Sequence, residues 1–496
     1  MPELLMFFML RRHFCFTLQL YQQTPVHGNE PFCCPPLIWR YKMEKIWDIV
    51  VLGGGPAGVM SALQLAMRGK NVCLVEQGPH RLGGTCLHEG CMATKSMLKT
   101  AEIYQSIRQA HEYGIEASVA PLDLNCTVMR KNDHLKALNS RLKQMAVKTG
   151  LHIEQGFGSF LSPTRIAVDG PAGRTELQAN NIVIATGSRP RELAGVAIDG
   201  ERILNSTQLL QQTQLPKRLL IIGGGAIGCE FASMFQAFGS EVTLIECADH
   251  LLPREDRDTG ETLQTSLEQR GIRVMTGRGV AAVQTNDTMA EVFLDGRSSP
   301  LEGDRILVAV GRTPNTDSLN LAAAQIDCSD EFIVVNDRLQ TSQPHIYAAG
   351  DVINTMMLAH SAMQEGDLLV ANLLGAEKRL PADTTPRVVY SFPQVAAVGI
   401  TEQELAEDSY RALFQPFTES GKALVDQRLE GHIKLLVDNT TNAILGATII
   451  GDHATELIHE LALAISQDIS LGVLKDVVHA HPTLAESIWD LARHQG

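Results

Sequence analysis

The chain has 496 residues, and at roughly 150 residues per domain this length allows about three to four domains with cores of their own, which excludes a miniprotein held by disulfides. Lys and Arg number 42 against 56 Asp and Glu, and the net charge of −14 disfavours a nucleic-acid backbone or an anionic membrane as partner. At 44% hydrophobic and 20% charged residues, the composition is that of a folded enzyme and is too apolar for a disordered chain.

The first 42 residues read oddly. Leu4 to Leu10 is an apolar run followed by Arg11-Arg12-His13, whereas a secretory signal puts its basic residues first and closes on small ones. Acidic residues are scarce there, as in a transit peptide, yet no helical amphipathicity shows. The expectation is an extension outside the fold with Met43 as the natural start; a targeting segment is the alternative. No stretch approaches 18 consecutive apolar residues, so no membrane-spanning helix is expected.

Trp47 to Leu52 is a short run rich in β-branched residues. It leads into Gly53-Gly54-Gly55-Pro56-Ala57-Gly58 and then a helical stretch from Ser61 to Met67. In this strand, G-x-G-x-x-G, helix order, Gly53 serves the tight turn, Gly55 the close approach of a pyrophosphate, and Gly58 the packing of helix on strand. A second strand, Val72 to Val75, ends in Glu76, whose carboxylate can accept from ribose hydroxyls. The whole pattern returns 170 positions later: Leu219 to Ile222, Gly223-Gly224-Gly225-Ala226-Ile227-Gly228, a helix through Phe238, and Val242 to Ile245 ending in Glu246. Two copies at one offset predict two bound dinucleotides. After Glu246 no arginine occurs until Arg254, so the second site has nothing to neutralise a 2′-phosphate and favours NAD over NADP.

Half of the ten cysteines, Cys73, Cys126, Cys229, Cys247 and Cys328, stand singly in regular segments, whereas Cys86 and Cys91 are spaced C-x4-C in a glycine-rich stretch. The spacing allows a small disulfide loop. Cys91 opens a predicted helix whose N-terminus, with Lys95, would favour a thiolate. A zinc site would need two further ligands, and neither a second cysteine pair nor a histidine pair lies near, so no metal is expected.

With these motifs the sequence resembles the flavoprotein disulfide reductase family, nearest its dihydrolipoamide dehydrogenase branch, over about residues 45–496. The resemblance extends through Ala185-Thr186-Gly187-Ser188-Arg189-Pro190, Val310-Gly311-Arg312-Thr313-Pro314-Asn315, Ala348-Ala349-Gly350-Asp351-Val352, Leu358-Ala359-His360 and His479-Ala480-His481-Pro482-Thr483-Leu484-Ala485-Glu486. It implies an α/β fold with two Rossmann-like domains and a C-terminal α+β dimerisation domain. FAD would bind in a split domain (43–189 and 316–385), NAD in 190–315, and 386–496 would dimerise. FAD would meet Gly53, Gly55, Gly58, Glu76, Gly84, Thr85, Lys95, Gly158, Thr186, Gly187, Ser188, Asp351, Leu358, Ala359 and His360. NAD would meet Gly223, Gly225, Ala226, Ile227, Gly228, Glu230, Glu246, Val280 and Gly311, and Lys95 and Glu230 would approach each other beside the flavin.

A dithiol must be deprotonated before it attacks a disulfide, and His481, with Glu486 five residues on to orient it, is the candidate base. The resemblance sets His481 against the partner subunit's disulfide in a homodimer, with Cys86 as interchange thiol and Cys91 toward the flavin. It further implies lipoyl-bearing domains of a 2-oxoacid dehydrogenase or glycine cleavage complex as partners, and a cytoplasmic protein (mitochondrial matrix if the extension is a transit peptide). A reducing compartment would let this pair cycle while the other cysteines stay unpaired. Three departures stand out. His88-Glu89 replaces the usual Asn-Val, Ala93 replaces a proline, and Gln394 stands where Glu is common. The first two are expected to shift the disulfide's potential and loosen the turn after Cys91. Other readings are a related reductase with a different dithiol, or a non-catalytic subunit that keeps the fold.

Overall fold

The computed structural model describes residues 45–286, 288–381 and 384–494; the expectations for residues 1–42 lie outside them. Strand Ile46–Leu52 is the axis of the first sheet, where Val50, Val51 and Leu52 are almost wholly buried. It pairs in parallel with Val72–Glu76 on one side and Gly173–Ile184 on the other, and His152–Gln155 extends the sheet beyond Val72–Glu76. Near-continuous apolar strands are what a parallel sheet covered on both faces requires. Strands Arg165–Gly170 and Phe157–Ser162 add an antiparallel edge, and Ile346–Ala348, far along the chain, returns to pair in parallel with Ile182–Ile184. One sheet is thus built from segments on both sides of a second.

That second sheet runs Arg273–Met275, Glu241–Ile245, Arg218–Ile222, Arg305–Val308 and Ile203–Leu204, all parallel. An antiparallel ribbon, Ser188–Pro190 against Arg312–Pro314, ties the two dinucleotide-type units together. The C-terminal part is a five-stranded antiparallel sheet ordered Arg387–Val389, Gln394–Gly399, Ile444–Gly451, His432–Asp438 and Tyr410–Pro416. Helices Ala454–Ser466 and Glu486–His494 pack on it through Ile458, Leu461, Ile488 and Leu491. Gln394, one of the departures, accepts from the Thr455 N–H (3.2 Å) and hydroxyl (2.9 Å), tying its strand to the start of helix Ala454–Ser466.

The C-terminal sheet is joined to the unit built on the second parallel sheet by buried charge. Lys434 is only 1% exposed and its ammonium lies 2.7 Å from Asp256, 2.7 Å from Asp258 and 3.0 Å from Glu402. The three carboxylates converge as cation ligands do, and the lysine ammonium is their cation.

Candidate active site

The two glycine loops are built alike, and their glycines are needed for different reasons. Gly53 has φ +98° and a Cβ there would lie 2.3 Å from Ala185 O; one on Gly58 would lie 1.9 Å from Gly53 O. Their counterparts Gly223 and Gly228 are equally confined, at 2.4 Å from Ala309 O and 1.8 Å from Gly223 O. Gly55 and Gly225 differ, with φ of −67° and −75° that any residue adopts and nothing within 4 Å of where a Cβ would stand. Neither backbone nor packing demands glycine at these two positions. Each instead keeps a space clear at the uncapped N-terminus of a helix, Pro56–Met67 or Ala226–Phe238, where phosphates bind.

The two acidic residues repeat as well. Glu76 accepts from Gly54 N (2.6 Å) and Gln77 N (2.7 Å), and Glu246 from Gly224 N (2.5 Å) and Ala248 N (2.7 Å). Each carboxylate therefore braces its own glycine loop and keeps lone pairs for a ribose diol. Burial pushes Glu76 above the ordinary carboxylate pKa, against the pull of those N–H groups.

A cavity of about 660 Å³ opens from the first loop. Its wall includes Gly53, Gly55, Glu76, Gly84, Thr85, Cys86, Cys91, Lys95, Gly158, Thr186, Gly187, Ser188, Asp351, Leu358 and Ala359. From the second unit Ala226, Ile227 and Glu230 reach the same wall, while Gly223, Gly225, Gly228, Glu246, Val280 and Gly311 stay off it. Val280 packs in the small apolar cluster of the second unit. His360, expected against FAD, is also off this wall: its Nε2 lies 2.7 Å from Pro386 O, which turns the ring toward the C-terminal unit.

Cys86 lies in helix Gly84–His88 and Cys91 is the first residue of helix Cys91–Gln109. The two are unbonded thiols joined by a hydrogen bond, which divides their acidities. Cys91 is lowered to about 7, chiefly by the Cys86 hydrogen bond; burial opposes this, and the Lys95 charge and its helical backbone N–H add to it. Cys86 is raised, by its hydrogen bond to Cys91 and by burial. Ionisation of the pair is thus favoured on the Cys91 side, beside Lys95 and the start of its helix. Lys95 donates to both Glu230 oxygens at 2.8 and 2.9 Å, and its ammonium lies 4.5 Å from the Tyr390 ring centroid. Burial works against the lysine's charge, but Glu230 holds its pKa above the usual value.

The departures from the family pattern each have neighbours that hold them. His88 Nε2 lies 2.9 Å from Leu82 O, and burial lowers its pKa toward the neutral ring. Glu89 pairs with Arg81 at 2.5 Å on the cavity wall. Ala93 is fully buried and helix Cys91–Gln109 starts regularly without the proline. Sequence reasoning had no signal for Arg81 or Tyr390. Arg312 sat in a quoted motif without a role; its guanidinium donates to Ser188 Oγ and Ser188 O, both at 2.7 Å, while Ser188 Oγ donates to Asp351 at 2.5 Å.

His481 and Glu486 meet as expected, Nδ1 to Oε1 at 2.9 Å, and Thr483 N holds the other carboxylate oxygen at 2.7 Å. The His481 side chain is 83% exposed and is not on the cavity wall.

Residues 47–366 match the family model described as pyridine nucleotide-disulphide oxidoreductase, and residues 385–492 match that family's dimerisation domain. The chain belongs to the pyridine nucleotide-disulphide oxidoreductases. It is 36% identical over 445 residues to a dihydrolipoyl dehydrogenase of Bacillus subtilis, covering 89% of this chain and 96% of that protein. A mitochondrial dihydrolipoyl dehydrogenase of Arabidopsis thaliana is 35% identical over 455 residues, covering 90% of this chain and 89% of that one. Among solved structures, the HOCl-induced flavoprotein disulfide reductase RclA from Escherichia coli is similar at a TM-score of 0.83 and 29% identity, covering 90% of this chain and 99% of that one. LpdA from Mycobacterium tuberculosis gives the same TM-score and coverage at 27% identity.

FAD and NAD(H) are the cofactors of this family and of this chain, and the cradles at Gly55 and Gly225 fit them. The chain is an oxidoreductase acting on sulfur and carries a dimerisation domain. Among the described residues no helix is long and apolar enough to cross a membrane.

Proposed function

We propose that the chain is a dihydrolipoyl dehydrogenase, which oxidises free or protein-bound dihydrolipoamide to lipoamide and reduces NAD⁺ to NADH. The observation that carries this reading is the thiol pair itself: Cys86 and Cys91 stand together on the wall of the same cavity that the first glycine loop keeps clear. Bound FAD would supply two-electron transfer between that pair and the nicotinamide. The chain's own residues handle sulfur and protons.

In the oxidised pair, the first substrate thiol loses its proton to His481 and attacks Cys86 Sγ. The Cys86–Cys91 bond breaks, a substrate–Cys86 bond forms, and Cys91 leaves as thiolate, favoured by its low pKa. The second substrate thiol then attacks the substrate sulfur of the mixed disulfide. Lipoamide closes, and Cys86, whose acidity favours the thiol, leaves and takes a proton. Two electrons now sit on the cysteine pair, and the net reaction is dihydrolipoamide + NAD⁺ → lipoamide + NADH + H⁺. Lys95, fixed by Glu230, holds the Cys91 thiolate. Glu486 orients His481 and leaves its other nitrogen open to solvent, which suits a base serving the cysteine pair of the second subunit of a homodimer. Lipoyl domains of a 2-oxoacid dehydrogenase or glycine cleavage complex are the partners this chemistry calls for, in the cytoplasm or a mitochondrial matrix.

A second reading, a reductase for another disulfide, draws on the similarity to RclA and on the Arg81–Glu89 pair at the cavity wall. Steady-state kinetics with NAD⁺ and dihydrolipoamide, beside dithiothreitol and glutathione, separates the two. The highest kcat/KM is expected for dihydrolipoamide; NADH formation from none of the thiols refutes both.

A further inference from the structure

The second histidine of the HxH sequence, His481, has one nitrogen bonded and one open. The first, His479, is buried, with its side chain 6% exposed, and both of its nitrogens face oxygen acceptors. Nδ1 lies 3.1 Å from Val477 O, and Nε2 lies 2.9 and 3.2 Å from the two Glu460 oxygens on helix Ala454–Ser466. Each ring nitrogen thus has an oxygen within hydrogen-bond distance, which leaves the ring one orientation in this pocket. Trp489 stacks on it at 6.2 Å between centroids, and is itself tied to Lys475 O at 2.8 Å and covered by Arg493. The ring is therefore locked, and it anchors the segment that carries His481 two residues on.

We propose that the His479–Glu460 pair is a positioning device for the base His481: it fixes the loop from Val477 to Thr483 that carries the base. This rests on His481 being the base. The carboxyl of Glu486 is held below the usual range by the Thr483 N–H and by His481, and His479 adds to that pull. The charged groups facing His479 are Glu460 from helix Ala454–Ser466, Glu486 from helix Glu486–His494, and Arg493 across Trp489. His479 touches no reacting atom and is a positioning residue.

The test is steady-state kinetics of the holoenzyme with dihydrolipoamide and NAD⁺, beside NADH oxidation by ferricyanide, which needs no thiol base. In His479→Gln and in Glu460→Gln, kcat with dihydrolipoamide is expected to fall about tenfold or more, part of the roughly 10²–10⁴ that a positioned base contributes, while the KM for dihydrolipoamide and the ferricyanide reaction are unchanged. Glu460 is 30% exposed and its amide is isosteric, so this variant remains testable if His479→Gln does not fold. A fall confined to the dihydrolipoamide reaction, in both variants or in Glu460→Gln when only it folds, supports the proposal. An unchanged kcat with dihydrolipoamide, or an equal fall in both reactions, overturns it. His481→Gln run alongside isolates the underlying reading: if it keeps full dihydrolipoamide turnover, His481 is not the base and the proposal falls with that assignment.

Discussion

Lys434 offers the sharpest stability experiment. It is 1% exposed, Asp256 is 3% exposed, and the other two carboxylates, Asp258 and Glu402, keep 37% and 34% of their side-chain surface in water. Burial works against the lysine's charge, yet hydrogen bonds and charge from Asp256 and Asp258 hold its pKa above the ordinary value. In Lys434→Met, Asp258 and Glu402 can turn to solvent, but Asp256 cannot; it keeps the Glu402 N–H at 2.8 Å and the Gln403 side-chain amide at 3.0 Å. Stranding one buried charge costs about 3–5 kcal/mol, and the surviving hydrogen bonds put this case near the lower end, about 3 kcal/mol. Urea unfolding followed by the fluorescence of Trp489, which lies in the same C-terminal unit, should show this as a lower midpoint with an unchanged slope. Adding Asp256→Asn removes the stranded charge and should recover half or more of the loss. The sign with pH follows from the raised folded pKa: the stabilisation is complete below the unfolded lysine value of about 10.4 and fades as pH climbs through the higher folded one. A single variant within about 0.5 kcal/mol of wild type, the usual range for surface changes, or a double variant no better than the single, would refute the reasoning.

The other expectations concern the site and its neighbours. Gly55→Ala should keep its melting temperature and fail to retain FAD, read by flavin absorbance after gel filtration, whereas Gly53→Ala, with a Cβ 2.3 Å from a backbone oxygen, should lose stability; equal melting losses in both would contradict this. Lys95→Met removes a charge that lowers Cys91, so the thiolate absorbance of the reduced protein should titrate above the midpoint of about 7 expected for wild type; an unmoved midpoint rules that charge out. His432 is buried with its Nε2 unpartnered and its pKa pushed down to about 4, so the native state resists a proton that the unfolded state binds near 6.5. Stability should therefore fall as pH drops from about 6.5 toward 4, by up to roughly 3 kcal/mol, and His432→Gln should flatten that slope; an identical slope in both proteins removes His432 as its source.

Which parts of the site the sequence disclosed follows from how far each partner lies along the chain. The glycine loops are local devices in which strand, turn and helix fall within about 30 residues, so spacing alone announced them, and the offset of 170 shared by Gly53/Gly223 and Glu76/Glu246 reappears as the same contact, from Gly54 N to Glu76 and from Gly224 N to Glu246. His481 and Glu486 are five apart and close a local hydrogen bond. Lys95 and Glu230 are 135 residues apart, and no periodicity links them; only family resemblance did, and the 2.8 Å contact bears it out. Lys434 with Asp256 and Asp258, Arg312 with Ser188, and Tyr390 beside Lys95 had neither local spacing nor an expected role, since each depends on how two separately folded units meet. The departures at the redox loop mark the same boundary. An acid and an imidazole beside the cysteines looked in sequence like a direct perturbation of the disulfide; in the fold Arg81 takes up Glu89, while Leu82 O, which also accepts from Asn139, holds His88. Both partners were close in sequence, within eight residues of each group, Arg81 for Glu89 and Leu82 for His88, but no spacing rule marks an arginine or a backbone carbonyl as the partner before the turn is folded.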